Sequence, residues 1–276
     1  MKTSTVGDHT KRNLAEYNGE DKVISSYEAD LSFKQSDEPF FKVKSGMPTL
    51  DRYLEGGFEG GELYAVSGPT KNGKTLFCQS LTVNMDRQAQ PSLWFSFEVP
   101  ARQFLARFPK LPLIYMPMKL KAHALPWLEE RIYESFHKYH TRIFFVDHLH
   151  YLLDIARLRN PSLEIGFVIR TLKRICVEGG FVGFVLCHTT KGRGGPDLSY
   201  ESIRDSSFVS QEADSVLMIR RTPDEGKDRA ALRMEFHRRT GIIEEGLFLI
   251  KEADGMLGEC VSDDRRPPTR ERADFK

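Results

Sequence analysis

Gly68-Pro-Thr-Lys-Asn-Gly-Lys74-Thr75 matches the phosphate-cradling pattern G-x-x-x-x-G-K-[ST], and its flanks decide how it is read. Leu63-Tyr-Ala-Val-Ser67 before it is short, apolar and β-prone, while Leu76, Phe77, Ser80, Leu81 and Asn84 after it recur at helical spacing. The glycines therefore fall at a strand-to-helix turn. Backbone N–H groups of such a turn, with the positive end of the helix that follows, can surround a polyphosphate. Gly68, Pro69, Thr70, Lys71, Asn72, Gly73, Lys74 and Thr75 are the expected nucleotide-binding residues, with ATP or another nucleoside triphosphate as ligand. Lys74 is expected on the terminal phosphates and the Thr75 hydroxyl on Mg²⁺.

A chain of 276 residues with one such loop implies a single large α/β domain with extensions. Hydrophobic residues at 40% and charged residues at 29% suit a water-soluble globular protein. No apolar run approaches the roughly 18 to 20 residues of a membrane span, so no membrane partner is expected. The N-terminus lacks an apolar signal core, which makes the cytoplasm the expected compartment. Lys and Arg total 40 against 39 Asp and Glu, a net charge of +1. That balance excludes a broadly basic DNA-coating protein but permits a local basic strip. Cys78, Cys176, Cys187 and Cys260 are far apart, without a C-x-x-C pair, and neither a zinc site nor a disulfide framework is indicated.

Residues 1–44 are polar apart from Val23-Ile24 and Phe40-Phe41 and read as an arm or linker; 45–261 read as the folded domain and 262–276 as a charged tail. Within the domain, strands are expected at Ser92–Glu98, Leu111–Met116, Arg142–Asp147 and Phe181–Cys187, alternating with helices at Leu125–Tyr139 and from about Ser162 to Val177. A Gly-rich loop at Thr189–Ser199 and a short helix around Glu201–Gln211 follow. Four later strands, near Ser215–Arg221, Ala231–Arg239, Glu245–Lys251 and Met256–Val261, are joined by turns. The fold class is α/β: a doubly wound, mostly parallel sheet with antiparallel strands added at the C-terminal edge.

Ligands of open α/β sheets bind outside the carboxyl ends of the strands, and Glu98, Asp147 and His188 all stand at such ends. Asp147 closes an apolar run and is expected to hold Mg²⁺ together with Thr75. The residue after it is His148 rather than a second acid, so Glu98 is the candidate for positioning the attacking water. His188 is placed to sense the γ-phosphate. Phe236-His-Arg-Arg-Thr-Gly241 puts two guanidinium groups, Arg238 and Arg239, at the end of a late strand, where one can serve a phosphate across a subunit boundary. Plainer readings stay open: a helix-capping aspartate, a first-turn glutamate, a solvated loop histidine and a pair of surface arginines.

From Val43 to Val261 the chain resembles the RecA-like ATPase domain of DnaB-type replicative helicases, a family that includes phage helicase-primases and the mitochondrial Twinkle helicase. The likeness is carried by Ser45-Gly-Met-Pro-Thr-Leu-Asp51 with Gly61-Glu-Leu, by the phosphate loop, by Ser96-Phe-Glu98-Val-Pro100 and by Phe144-Phe-Val-Asp147-His-Leu. Cys187-His188 is similar to the phage-type sensor motif. Ser202-Ile-Arg-Asp-Ser-Ser-Phe-Val-Ser-Gln-Glu-Ala-Asp214 resembles the motif after the family's DNA-binding loop. His237-Arg-Arg239-Thr-Gly241 aligns with K-x-R-x-G, which makes Arg239 the implied finger and puts His237 where the family has lysine. The resemblance implies a hexameric ring with ATP between neighbours, single-stranded DNA in the centre, and a primase and a loader as partners. Lys191, Arg193 and Arg204 become the implied DNA contacts. The alternatives are a non-unwinding relative, similar to the RadA recombination mediator or the KaiC regulatory oligomer, and a small-molecule kinase.

Overall fold

The computed structural model describes residues 17–19, 22–35, 40–153, 161–188, 206–222 and 228–260. Contacts divide the chain after Phe40. In the first unit the helix α1 (Ser26–Gln35) buries no residue and is closed by Ser25, whose hydroxyl and N–H both donate to Glu28 at 2.8 Å.

The second unit runs β1 (Lys42–Val43), α2 (Pro48–Tyr53), β2 (Phe58–Glu59), β3 (Leu63–Ser67), α3 (Lys74–Asp86), β4 (Ser92–Ser96), α4 (Ala101–Leu105) and β5 (Ile114–Tyr115). It continues through α5 (Leu125–Tyr139), β6 (Ile143–Asp147), a 3₁₀ turn at Leu149–Leu152, α6 (Pro161–Gly179), β7 (Val182–Leu186), α7 (Ser206–Glu212), β8 (Ser215–Arg221), β9 (Arg229–His237), β10 (Ile243–Lys251) and β11 (Leu257–Glu259). β1 and β2 form a small antiparallel pair. The remaining strands make one sheet in the order β11-β10-β9-β8-β3-β7-β6-β4-β5. Every pairing from β8 to β5 is parallel and every pairing from β8 to β11 is antiparallel, as the sequence predicts.

Burial on both faces explains why the central strands are mainly apolar: each residue of β3, β4, β6 and β7 is buried, and the polar members Ser67, Ser92, Ser96 and Asp147 fall at strand ends. The two-residue period splits them between two cores. Tyr64, Val66, Trp94, Phe145 and Phe184 face α3, whereas Leu63, Ala65, Phe95, Phe144 and Val185 face α5 and α6. An aromatic row locks the register across four strands. Tyr64 stacks on Phe184 at 5.3 Å, Phe184 on Phe145 at 4.6 Å and Phe145 on Trp94 at 4.5 Å, and Trp94 Nε1 donates to Thr82 of α3 at 3.0 Å. Because these strands are in register and parallel, their carboxyl ends open side by side.

Several strands end earlier than predicted, and the shortening matters at β4 and β9. β4 stops at Ser96 because Phe97 and Glu98 turn over β6, both N–H groups bonding the Asp147 carbonyl at 2.8 and 3.3 Å. β9 closes at His237, since Arg238, Arg239 and Thr240 form the turn into β10, tied by Gly241 N–H to the His237 carbonyl at 2.9 Å. No described helix is long and apolar enough to cross a membrane.

Candidate nucleotide-binding site

Two glycines in left-handed conformations shape the phosphate loop between β3 and α3. At Gly68, with φ of +145°, a Cβ would stand 2.1 Å from the Ile219 carbonyl of neighbouring β8, so only glycine fits. Gly73, with φ of +97°, turns the chain into α3 and exposes the helix's first N–H groups to the loop. Asn72 ties the loop to β8 by accepting the Arg221 N–H at 2.9 Å, and its Nδ2 donates to the Thr70 carbonyl at 3.1 Å.

Lys74 is only 7% exposed and folds over the cradle, its ammonium donating to the carbonyls of Gly68 at 2.9 Å and Pro69 at 3.1 Å. Burial holds that ammonium below the usual lysine range, and the charges of Asp147 and Glu98 act against the fall. Thr75 Oγ1 donates to Asp147 Oδ2 at 2.8 Å. Asp147 is 2% exposed; burial pushes its carboxyl up to about 6, with the Thr75 bond opposing and Glu98 reinforcing. A hydroxyl beside a buried carboxylate is the oxygen donor set that a hard divalent cation takes, so these residues fit Mg²⁺.

Glu98 rises on the turn past β4 with its side chain 42% exposed, and its Oε2 lies 3.8 Å from His148 Nδ1. His188, two residues past β7, presents its ring edge-on to His148 with centroids 4.3 Å apart. Burial holds both imidazoles down, aided by the positive field of their neighbours: His148 falls to about 3, and His188 lies below the usual histidine range. Lys74, Thr75, Asp147, Glu98 and His188 are therefore gathered around one cradle at the ends of β3, β7, β6 and β4.

Arg239 stands elsewhere. Its Nε donates to Glu62 Oε1 at 2.7 Å, its Nη1 lies 3.0 Å from Glu59, and its Nη2 donates to the carbonyls of Leu54 at 3.0 Å and Gly57 at 3.2 Å. Glu62 also accepts the Tyr64 hydroxyl and, at 3.0 Å, the Glu59 N–H; His237 Nε2 is 3.4 Å away. Burial pushes the Glu62 carboxyl up, but the donors from His237, Arg239, Tyr64 and Glu59 outweigh it and hold the group down at about 2. Glu62 precedes β3 and the phosphate loop follows it, so a strand of five residues separates them, roughly 17 Å at about 3.3 Å per residue. Arg238, beside Arg239, is exposed and donates to the Gln211 carbonyl. Lys191, Arg193 and Arg204 lie outside the described residues.

Sequence reasoning left His148, Glu62 and Tyr64 without roles. His148 was in view as the residue after Asp147. Glu62 and Tyr64 belong to the Gly61-Glu-Leu-Tyr stretch, but nothing local in it reveals a partner at Arg239.

A solved DnaB-like replicative helicase, described with its interactions with primase, superposes with a TM-score of 0.71 at 17% identity, covering 84% of this chain and 67% of that one. A second solved structure, described as an ATPase domain, matches equally, with a TM-score of 0.71 at 17% identity over 85% of this chain and 96% of that one. The chain has the RecA-like fold of DnaB-type helicase ATPase domains. The family model described as "ATPase: KaiC" matches residues 43–113, which hold the phosphate loop and Glu98. In sequence, the chain is 26% identical over 168 residues to a "Probable replicative DNA helicase" of Trieres chinensis. That match takes in 59% of this chain and 34% of the relative, about a third of its length.

Proposed function

We propose that the chain is a ring-forming, DNA-dependent ATPase motor of the replicative helicase type, hydrolysing ATP between neighbouring copies and moving on single-stranded DNA. One observation carries the reading: the phosphate loop, Asp147, Glu98 and His188 meet at one end of β3, while Arg239 is anchored at the other end. A protomer built this way offers a cradle on one side and a guanidinium on the opposite side, so a complete site needs two copies.

In the proposed reaction Lys74 exchanges the carbonyls of Gly68 and Pro69 for phosphate oxygens. Thr75 and Asp147 would hold Mg²⁺, which would supply neutralisation of phosphate charge. Glu98, exposed on the cradle's rim, accepts a hydrogen bond from the attacking water, and His188 responds to the presence of the γ-phosphate. The neighbour's Arg239, with Arg238 beside it, stabilises charge at the transition state. Lys191, Arg193 and Arg204 are proposed contacts to the DNA backbone, and a primase and a loader are proposed partners of a hexamer. Single-stranded DNA is expected to stimulate ATP turnover and a forked duplex to be unwound; hydrolysis that is indifferent to DNA would overturn the motor.

A second reading is favoured by the KaiC-type match over residues 43–113: an oligomer in which hydrolysis switches assembly rather than separating strands. Turnover and ring formation with no strand displacement on the fork would select it.

A further inference from the structure

Glu98, His148 and His188 close a second constellation beside the Thr75–Asp147 pair. They follow β4, β6 and β7, three adjacent strands, so neighbouring strand ends bring one carboxylate and two imidazoles together. One donor atom from each residue lies within 4.8 Å of the other two. The 3.8 Å between Glu98 Oε2 and His148 Nδ1 is too long for a hydrogen bond. Nδ1 of both His148 and His188 is buried without a hydrogen-bond partner among the described residues. Orphaned ring nitrogens at such spacing are costly unless an atom sits between them and the carboxylate.

We propose that Glu98, His148 and His188 form a binding site for one zinc-class divalent cation, distinct in chemistry from the Thr75–Asp147 position. Bonds of about 2.0 to 2.2 Å in a tetrahedral shell put ligand atoms about 3.3 to 3.6 Å apart, so the Glu98–His148 pair at 3.8 Å closes by a few tenths of an ångström and the other pairs, within 4.8 Å, by at most about 1.5 Å, which side-chain rotation on the half-exposed Glu98 can supply. Two nitrogens and one carboxylate oxygen select zinc or a late transition metal over magnesium, which keeps to oxygen ligands. Three protein ligands with Glu98 half-exposed leave a fourth position open to water or a phosphate oxygen. On the proposed function, on which this consequence rests, the cation takes the Glu98 lone pair needed for water and slows hydrolysis while leaving the phosphate loop intact.

Titration of the nucleotide-free full chain with CoCl₂ is the test, because tetrahedral Co²⁺ absorbs visibly and needs no turnover to be seen. One equivalent of intense absorption, displaced by ZnCl₂, is expected. His148→Ala and His188→Ala should each weaken Co²⁺ binding by at least about tenfold. His137→Ala, on the exposed side of α5, should leave it unchanged, and circular dichroism reports whether each variant is folded. Binding that both site variants leave intact, or only the faint spectrum of octahedral Co²⁺, overturns the site. A chain that binds Co²⁺ as expected but hydrolyses no ATP keeps the site and removes the motor. A chain that hydrolyses ATP without binding Co²⁺ does the reverse.

Discussion

Arg239 is bonded to Glu62 at 2.7 Å, and Glu62 stands directly before the strand whose far end carries the phosphate loop. Each of its three guanidinium nitrogens has an acceptor in its own chain, on Glu62, Glu59 or the Leu54 and Gly57 carbonyls. The arginine is thus clamped to a rigid element that runs straight to the cradle, and the glycine-dense turn from Glu55 to Glu62 is held by it.

Acid should loosen this clamp. The Glu62 carboxyl sits at about 2 in the folded chain against an ordinary 4.5, so its contribution is fully present above about 4.5 and is lost as pH falls towards 2. The difference corresponds to on the order of 3 kcal/mol. Glu62→Gln should lower stability at pH 7 by up to about that amount and flatten the fall in stability between pH 4.5 and 2. Urea midpoints measured across that range decide it: an acid slope unchanged in the variant removes Glu62 as its source.

The arginine pair offers a test of sharing. Arg239→Ala should cut ATP turnover by about a thousandfold or more if the finger serves a neighbour. Mixing it with Lys74→Ala subunits should restore part of the rate, because some interfaces then pair an intact loop with an intact arginine. Arg238→Ala, removing the exposed member, should cost less. Mixtures no faster than the sum of their parts would place the arginine's effect within its own subunit.

At the cradle, binding and chemistry should separate. Lys74→Ala is expected to lose nucleotide binding, followed with a fluorescent ATP analogue, since no other buried ammonium reaches the loop among the described residues. Glu98→Gln should bind the analogue normally and lose turnover by about a hundredfold or more, the usual worth of a general base. Normal turnover in Glu98→Gln would transfer the water-positioning role to another group.

Much of the fold was legible because strands buried on both faces are mainly apolar and confine their polar residues to the ends: Leu63–Ser67, Ile143–Asp147 and Val182–Leu186 announce themselves as apolar runs. The end of such a run also locates its terminal acid, which is how Asp147 was found. β5 shrank to Ile114–Tyr115 because Pro112 and Pro117 bracket it, removing ladder donors that the apolar pattern alone does not count. β1 and β2, two residues each, were invisible. Tertiary contact makes them, including the ion pair of Lys42 with Glu59 at 2.8 Å. The clamp was hidden for the same reason, as Glu62 and Arg239 are 177 positions apart and the local motif around each says nothing of the other.

Gly68 gives the sharpest test of the loop's construction. Its φ of +145° is closed to L side chains, and the atom that a methyl would strike is the Ile219 carbonyl oxygen, part of the β8 backbone rather than a movable side chain. Relief would require parting β3 from β8 where Ser67 pairs with Met218, the last rung before the cradle. Gly68→Ala should therefore cost about 2 kcal/mol or more and weaken nucleotide binding with it. Thermal melts with and without ATP measure both effects. A variant that melts like the parent and gains the same stabilisation from ATP would show that the loop tolerates a side chain, and that the close approach to Ile219 does not shape the phosphate site.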